Sequence, residues 1–390
     1  MQLRNRAAAA AGNQQELNPQ ENKLIVDKKR HAAKDVNEAE PKAKRNALTD
    51  LSRQIHNFVI DSSRKDASKK SEVKKPKTGA LQPIAESKSS KEIAVAETKK
   101  VVKKPAYDFD KECAHDIASN AVFANDIFVY YRSREPLFKV TNYTEKHRDI
   151  THEMRMILGD WMVEVQENFE LYHETLYLAV KLVDIYLDKV DKVRQEQLQL
   201  LGSSAIFVAS KFDERSPPLI DDFLYICNES YKRQDLIDME IHFLQVVGFE
   251  ALTAPLSYRF LRRYSRVIKS DMQTLTAARY LLESSLLCVE YAPMSESKIA
   301  AACLLWALRV KKVGDWDPIL EQYSGYSVEE IEPLMMSLNH MVAIRKTFMR
   351  KVSTVFEKYS HEIFFRVSLL SPLTDIYEQA GNNIVIPANC

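Results

Sequence analysis

Aromatic residues are all but missing from the first quarter of this chain: between Met1 and Ala106 the only one is Phe58. Ala, Lys, Ser, Asn and Gln recur there without helical or strand period, and such a stretch cannot bury enough apolar area to offset chain entropy. Residues 1–106 are therefore expected to be a disordered tail. Glycine is scarce beyond it: Gly159, Gly202, Gly248, Gly314, Gly325 and Gly381 are all that residues 107–390 contain, and no Asn-Gly or Asp-Gly pair joins alternating apolar runs. That excludes hairpin-built folds and predicts an all-α body. No apolar run approaches the roughly 20 residues that span a bilayer, and Met1 to Arg6 lack the apolar core of a signal peptide. A chain neither secreted nor membrane-spanning is expected. The five cysteines, Cys113, Cys227, Cys288, Cys303 and Cys390, form no C-x-x-C pair, so neither a bound metal nor a redox disulfide is indicated.

Chemistry-bearing motifs are also missing. There is no G-x-G-x-x-G and no D-F-G, so the chain does not read as a kinase. His152-Glu153, His173-Glu174 and His361-Glu362 never gain the second histidine of H-E-x-x-H, which leaves zinc hydrolysis unsupported. No cofactor and no catalytic residue is predicted.

What is present is a sharp division of charge. The whole chain holds 55 basic and 54 acidic residues, but residues 1–106 hold 24 against 13 and residues 107–390 hold 31 against 41. A basic tail on an acidic body disfavours nucleic-acid binding by the body, since neutralising phosphates needs clustered Lys and Arg on the folded surface. A transcription factor or an enzyme with an unfamiliar site are the rival classes, and neither finds support in these residues.

Apolar periodicity places a short helix at Asp126 to Arg134 and then two groups of five. The first comprises His152 to Phe169, Glu174 to Leu187, Arg194 to Glu214, Leu219 to Asn228 and Arg233 to Val247. Pro217-Pro218 separates its third and fourth members, and Gly248 caps the fifth. The second comprises Leu256 to Ile268, Met272 to Val289, Glu296 to Val310, Asp317 to Tyr323 and Val328 to Lys351. Two successive groups of small-domain size point to a structural duplication. The expected division is a tail at 1–106, a lead-in at 107–151, bundles at 152–250 and 251–365, and an extension at 366–390.

Met154, Ile157 and Trp161 lie at i, i+3 and i+7 and make one apolar stripe, while Leu158, Met162 and Val165 make a second. A helix apolar on two faces is either buried on both or presents one to a partner. The run Met154-Arg-Met-Ile-Leu-Gly-Asp-Trp-Met-Val-Glu-Val165 resembles the signature of the cyclin box. The resemblance continues through His173 to Asp184, Leu198-Gln-Leu-Leu-Gly202, Ala209-Ser-Lys-Phe-Asp-Glu214 and Asp238-Met-Glu240, in family order and spacing from Tyr107 to Lys351. Val165 to Leu171, Phe212 to Leu219 and Leu256 to Tyr264 look most like the third subclass of animal B-type cyclins. Gly159 departs from the family's usual β-branched residue, which on propensity alone loosens the helix by about 1 kcal/mol.

The resemblance implies a regulatory subunit that grips a mitotic cyclin-dependent kinase. Lys211 and Glu240 would bond the kinase's regulatory helix, with Phe212, Leu244, Ile127 and Tyr130 supplying apolar contact around them. Arg155 and Asp184 match a pair that joins the first two box helices, so their role is structural. Met154, Ile157, Trp161, Glu164, Leu198 and Gln199 match a patch that docks substrates and inhibitors carrying Arg-x-Leu, an apolar groove with an acidic rim.

In the tail, Arg45-Asn-Ala-Leu48-Thr-Asp-Leu-Ser52 resembles a destruction box read by the anaphase-promoting ubiquitin ligase. Arg-x-x-Leu also starts at Arg134, Arg155, Arg233, Arg279 and Arg366, all within predicted folded structure, so the setting of Arg45 and Leu48 singles them out. By that resemblance, nearby Lys65, Lys69 and Lys70 would serve as ubiquitin acceptors. Lys28-Lys-Arg30 and Lys74-Lys-Pro-Lys77 read equally as nuclear import signals or as solvated charge runs; a nuclear protein is expected, with a cytoplasmic location before mitosis as the alternative.

Overall fold

The computed structural model describes residues 107–345, 349 and 351–374, and the regular elements among them are all helical. A lead-in contains α1 (Phe109–Glu112) and α2 (Ala121–Arg134). The first bundle holds α3 (His152–Asn168), α4 (His173–Lys189), α5 (Leu198–Asp213), α6 (Ile220–Ile226) and α7 (Arg233–Val247). The second holds α8 (Ser257–Val267), α9 (Met272–Ser285), α10 (Glu296–Val310), α11 (Pro318–Ser324) and α12 (Val328–Ala343), and α13 (Thr354–Ser360) follows.

Each bundle is built round one helix that is buried on nearly every side. Leu198 to Ser210 of α5 are all buried, as are Ile299 to Leu308 of α10. Such helices belong at a core's centre because they have no face to give to water. Neighbours close round α5 (α3, α4 and α7) and round α10 (α8, α9 and α12). The helix starts are set by short polar side chains. Thr151 Oγ1 accepts from the Met154 N–H (3.2 Å), Asp271 from that of Thr274 (2.7 Å) and Asp317 from that of Leu320 (2.7 Å). Gly248 (φ +79°) and Gly325 (φ +77°) end α7 and α11 in backbone that other residues adopt only with strain.

Several expected helices have different bounds. The predicted Asp126 start of α2 moves back to Ala121, where Asn120 takes the left-handed conformation (φ 47°) before the helix. The segment expected to open at Arg194 starts as a 3-10 turn, Gln195–Gln197, before α5 begins. The helix expected to reach Val289 ends at Ser285, and the turn after it aims the Leu286 carbonyl at Arg155 Nη1 (3.3 Å). The helix expected to run to Lys351 ends at Ala343. Arg345 then lies 3.6 Å above the Phe356 ring as the chain turns back.

That return makes α13 a tie between the bundles. The Asp160 carboxylate of α3 accepts from the Ser353 N–H (3.2 Å), the Thr354 N–H (3.3 Å) and hydroxyl (2.9 Å), and the Val355 N–H (3.4 Å), capping α13 from the first bundle. Lys358 Nζ donates to Gln166 Oε1 of α3 (3.1 Å) and Glu283 Oε2 of α9 (2.9 Å), and the Tyr359 hydroxyl donates to Glu283 Oε1 (2.6 Å). Burial alone raises the Glu283 carboxyl, but Lys358, His173 and Arg279 together hold it below its usual range. Arg279 donates to the Tyr359 hydroxyl (2.9 Å) and to His173 Nε2 (3.0 Å). Burial depresses the His173 imidazole to about 4. The start of the expected extension packs too: Leu373 exchanges two hydrogen bonds with the Asn339 side chain (2.8 and 2.9 Å).

Candidate functional site

Lys211, in the last turn of α5, and Glu240, on α7, form an ion pair across the two helices. Lys211 Nζ also lies 4.0 Å above the Phe207 ring. The lysine side chain stays 40% exposed and the glutamate 16% exposed, so the pair is open to a partner. Phe212 beside it is 48% exposed, and Leu244, one turn after Glu240, is half-buried. Two large residues that the sequence reading missed are mostly exposed on and just after α7: Ile241, which follows Glu240, and Phe249. Ile241 interrupts the polar face of α7, whose buried stripe is Leu236, Phe243 and Val247, and that interruption was a legible signal. Phe249 carried none, since it follows the capping glycine outside any periodic run.

Ile127 and Tyr130 lie on α2, which two arginines tie to the turn after α7 and to the end of α5. The Arg134 guanidinium sits 5.4 Å from the Tyr130 ring and bonds Glu250 (3.0 Å), the residue after Phe249. Arg259 of α8 donates to the Tyr131 hydroxyl (3.1 Å) and stands 3.7 Å from Asp213, the residue after Phe212. Tyr130 is exposed, whereas Ile127 is half-buried at the cleft between α2 and α8. A partly exposed charged pair with exposed Phe212 and Ile241 next to its members in the chain has the composition of a protein-binding hot spot.

The expected docking stripe lies deeper than its open-groove reading. Met154, Trp161, Leu198 and Gln199 are buried, Trp161 completely, and only Ile157 and Glu164 are half-exposed. The stripe is largely covered because α5, buried from its first residue, packs against α3. Two polar atoms in it have no hydrogen-bond partner, Trp161 Nε1 and Glu164 Oε2. Burial, with Asp160, Glu167 and Glu357 adding to it, pushes the Glu164 carboxyl up to about 7. Both atoms are themselves buried, which leaves the exposed parts of Ile157 and Glu164 as what a ligand can touch.

Arg155 and Asp184 form a buried, two-pronged pair between α3 and α4, Nε to Oδ1 at 2.8 Å and Nη2 to Oδ2 at 3.0 Å. The Tyr143 hydroxyl adds a third bond to Asp184 (2.7 Å). The same guanidinium reaches the second bundle through Leu286, so it ties three elements. Beside it, a Cβ on Gly159 would meet Arg155 Nη1 at 3.1 Å and Leu287 Cδ2 at 3.2 Å. Close approach of the bundles accounts for the glycine where propensity alone disfavours it.

Arg45 and Leu48, the acceptor lysines and both basic clusters lie outside the described residues. His147-Arg148-Asp149, a tripeptide that also occurs in kinase catalytic loops, sits before α3 with His147 buried and its Nε2 2.7 Å from the Leu187 carbonyl. Among the described residues no cluster of His, Cys, Asp and Glu is arranged to hold a metal, and no helix is long and apolar enough to cross a membrane.

Two five-helix bundles in tandem, each round a buried central helix, define the class as a double cyclin fold. The N-terminal cyclin domain matches residues 126–251 and the C-terminal cyclin domain residues 255–373. A G2/mitotic-specific cyclin-B3 of Caenorhabditis elegans is 41% identical over 90% of this chain and 89% of its own length. The Gallus gallus G2/mitotic-specific cyclin-B3 is 49% identical over 68% of this chain and 65% of its own, and that of Homo sapiens 45% over 69% and 19%. This chain thus spans about a fifth of the human relative. It belongs to the cyclin family, in the G2/mitotic B-type branch, and resembles the B3 subclass.

Proposed function

We propose that this chain is the regulatory subunit of the mitotic cyclin-dependent kinase, which it binds and activates allosterically to drive G2/M and mitotic or meiotic progression. The observation that carries the reading is the partly exposed Lys211–Glu240 pair joining two helices, with exposed Phe212 and Ile241 next to its two members in the chain. Lys211 and Glu240 orient the kinase's mobile regulatory helix, and the exposed apolar side chains supply desolvated area. Gripped in this way, the helix keeps its Glu against the catalytic Lys and the activation segment open, so binding energy selects the active conformation. Catalysis belongs to the kinase.

The Met154–Trp161 stripe, with part-exposed Ile157 and Glu164 on the same helix, receives substrates or inhibitors bearing Arg-x-Leu. Arg45 and Leu48 mark the chain for the anaphase-promoting ubiquitin ligase, and the basic clusters direct it to the nucleus. The test is a paired charge swap, Lys211→Glu with Glu240→Lys, which keeps an ion pair while reversing its polarity. The swapped chain is expected to retain its circular dichroism and lose co-purifying kinase activity; retained activity refutes the assignment. Arg45→Ala with Leu48→Ala, followed through mitotic exit, is expected to lengthen the protein's half-life.

A further inference from the structure

The helix that carries Ile127 and Tyr130 is held from the second bundle. Phe128 and Tyr131 of α2 pack on the Phe260 ring of α8, at centroid distances of 5.8 and 6.3 Å. Arg132 donates to the Ser324 carbonyl at the end of α11. Glu135, just past α2, accepts from the Ser297 N–H of α10 (2.6 Å) and from its hydroxyl (2.8 Å).

Two arginines one turn apart on α8 organise these contacts. Arg263 is buried, gives both terminal nitrogens to the Asp110 carboxylate (2.5 Å each), and lies among the rings of Phe109, Phe128 and Tyr323 at 5.7, 5.2 and 5.0 Å. It pins the lead-in, α2 and α11 to one point. Arg259 bonds the Tyr131 hydroxyl and faces Asp213, so it spans from α2 to the end of α5. Tyr131 adjoins Tyr130, and Asp213 adjoins Phe212. The register between the two halves of the kinase-facing surface is therefore set by a helix of the other bundle.

We infer that Arg259 and Arg263 are positioning residues for kinase binding: they hold α2 at its working distance from α5, so that the second bundle presets the affinity of a surface assembled largely on the first. The inference rests on the kinase reading above. An unpinned α2 has to be ordered when the kinase binds, and that ordering cost weakens the complex. Lysine cannot replace either arginine, because it lacks the planar fork that meets a carboxylate and a ring together.

Hydrogen exchange on the full chain alone tests the first half. Arg263→Lys and Arg259→Gln are expected to speed exchange of amides 121–134 while those of α5 and α7 keep their rates. Affinity for the purified kinase tests the second half. Each variant is expected to weaken the Kd about tenfold. In a chain already carrying Ile127→Ala and Tyr130→Ala, the same variants are expected to change it less than about twofold, the non-additivity of residues acting through one another. Equal weakening in both backgrounds, or unchanged exchange over 121–134, overturns the inference. If exchange responds as stated but the wild-type chain captures no kinase, the kinase reading itself fails and this inference falls with it.

Discussion

Gly159 and Leu287 face each other across the seam between the two bundles so closely that a Cβ on the glycine would lie 3.2 Å from Leu287 Cδ2. Contact of this kind competes with helix propensity. Propensity alone gives Gly159→Ala about 1 kcal/mol of added stability. The seam is expected to take back most of that gain, and Gly159→Val is expected to lose about 1–3 kcal/mol through overpacking. Urea unfolding of the three chains measures both.

The Glu283–Lys358 pair is almost fully buried on both sides. Lys358→Met leaves a buried carboxylate short of its main counter-charge and is expected to cost about 3–5 kcal/mol. Adding Glu283→Gln removes the stranded charge and is expected to restore much of the loss. Thermal unfolding distinguishes this from simple additivity, in which the double variant is the least stable.

Acid sensitivity follows from His173. Its unfolded imidazole takes up a proton near pH 6.5, the folded one only near about 4. Between those values the unfolded chain binds more protons, so stability is fully present above pH 6.5 and falls as pH falls towards 4. The loss is expected to reach about 2 kcal/mol at pH 5. His173→Gln should flatten the pH dependence of the urea midpoint across that window.

Docking should be tuned by pH in the opposite limb of the scale. The Glu164 carboxyl must be ionised to meet an arginine, and in the free chain it titrates at about 7. An Arg-x-Leu peptide is expected to bind up to about tenfold more tightly at pH 8 than at pH 6. Fluorescence anisotropy should show that slope in the wild-type chain and lose it in Glu164→Gln.

How far these features could be read from residues depends on where their stability comes from. α5 and α10 were legible because long apolar runs bounded by turn signals carry their own pattern. α13 was not, since Thr354–Ser360 spans too few residues to show a period. It is held by Asp160 and Glu283, far away in the chain. Periodicity correctly put Met154, Ile157 and Trp161 on one face but had no means of showing how much of that face α5 covers. Lys211 and Glu240 were chosen by family resemblance; spacing could not have paired two charges 29 positions apart.

The Asp160 cap on α13 gives the chain's far end a say in whether its beginning stays intact. A premature stop shortly after Ala343 would spare all ten bundle helices yet strip Asp160 of the cap it forms and Glu283 of Lys358 and Tyr359 at one stroke. Alleles truncated there should behave as nulls, and subcloned fragments that end at the last bundle helix should prove poorly soluble.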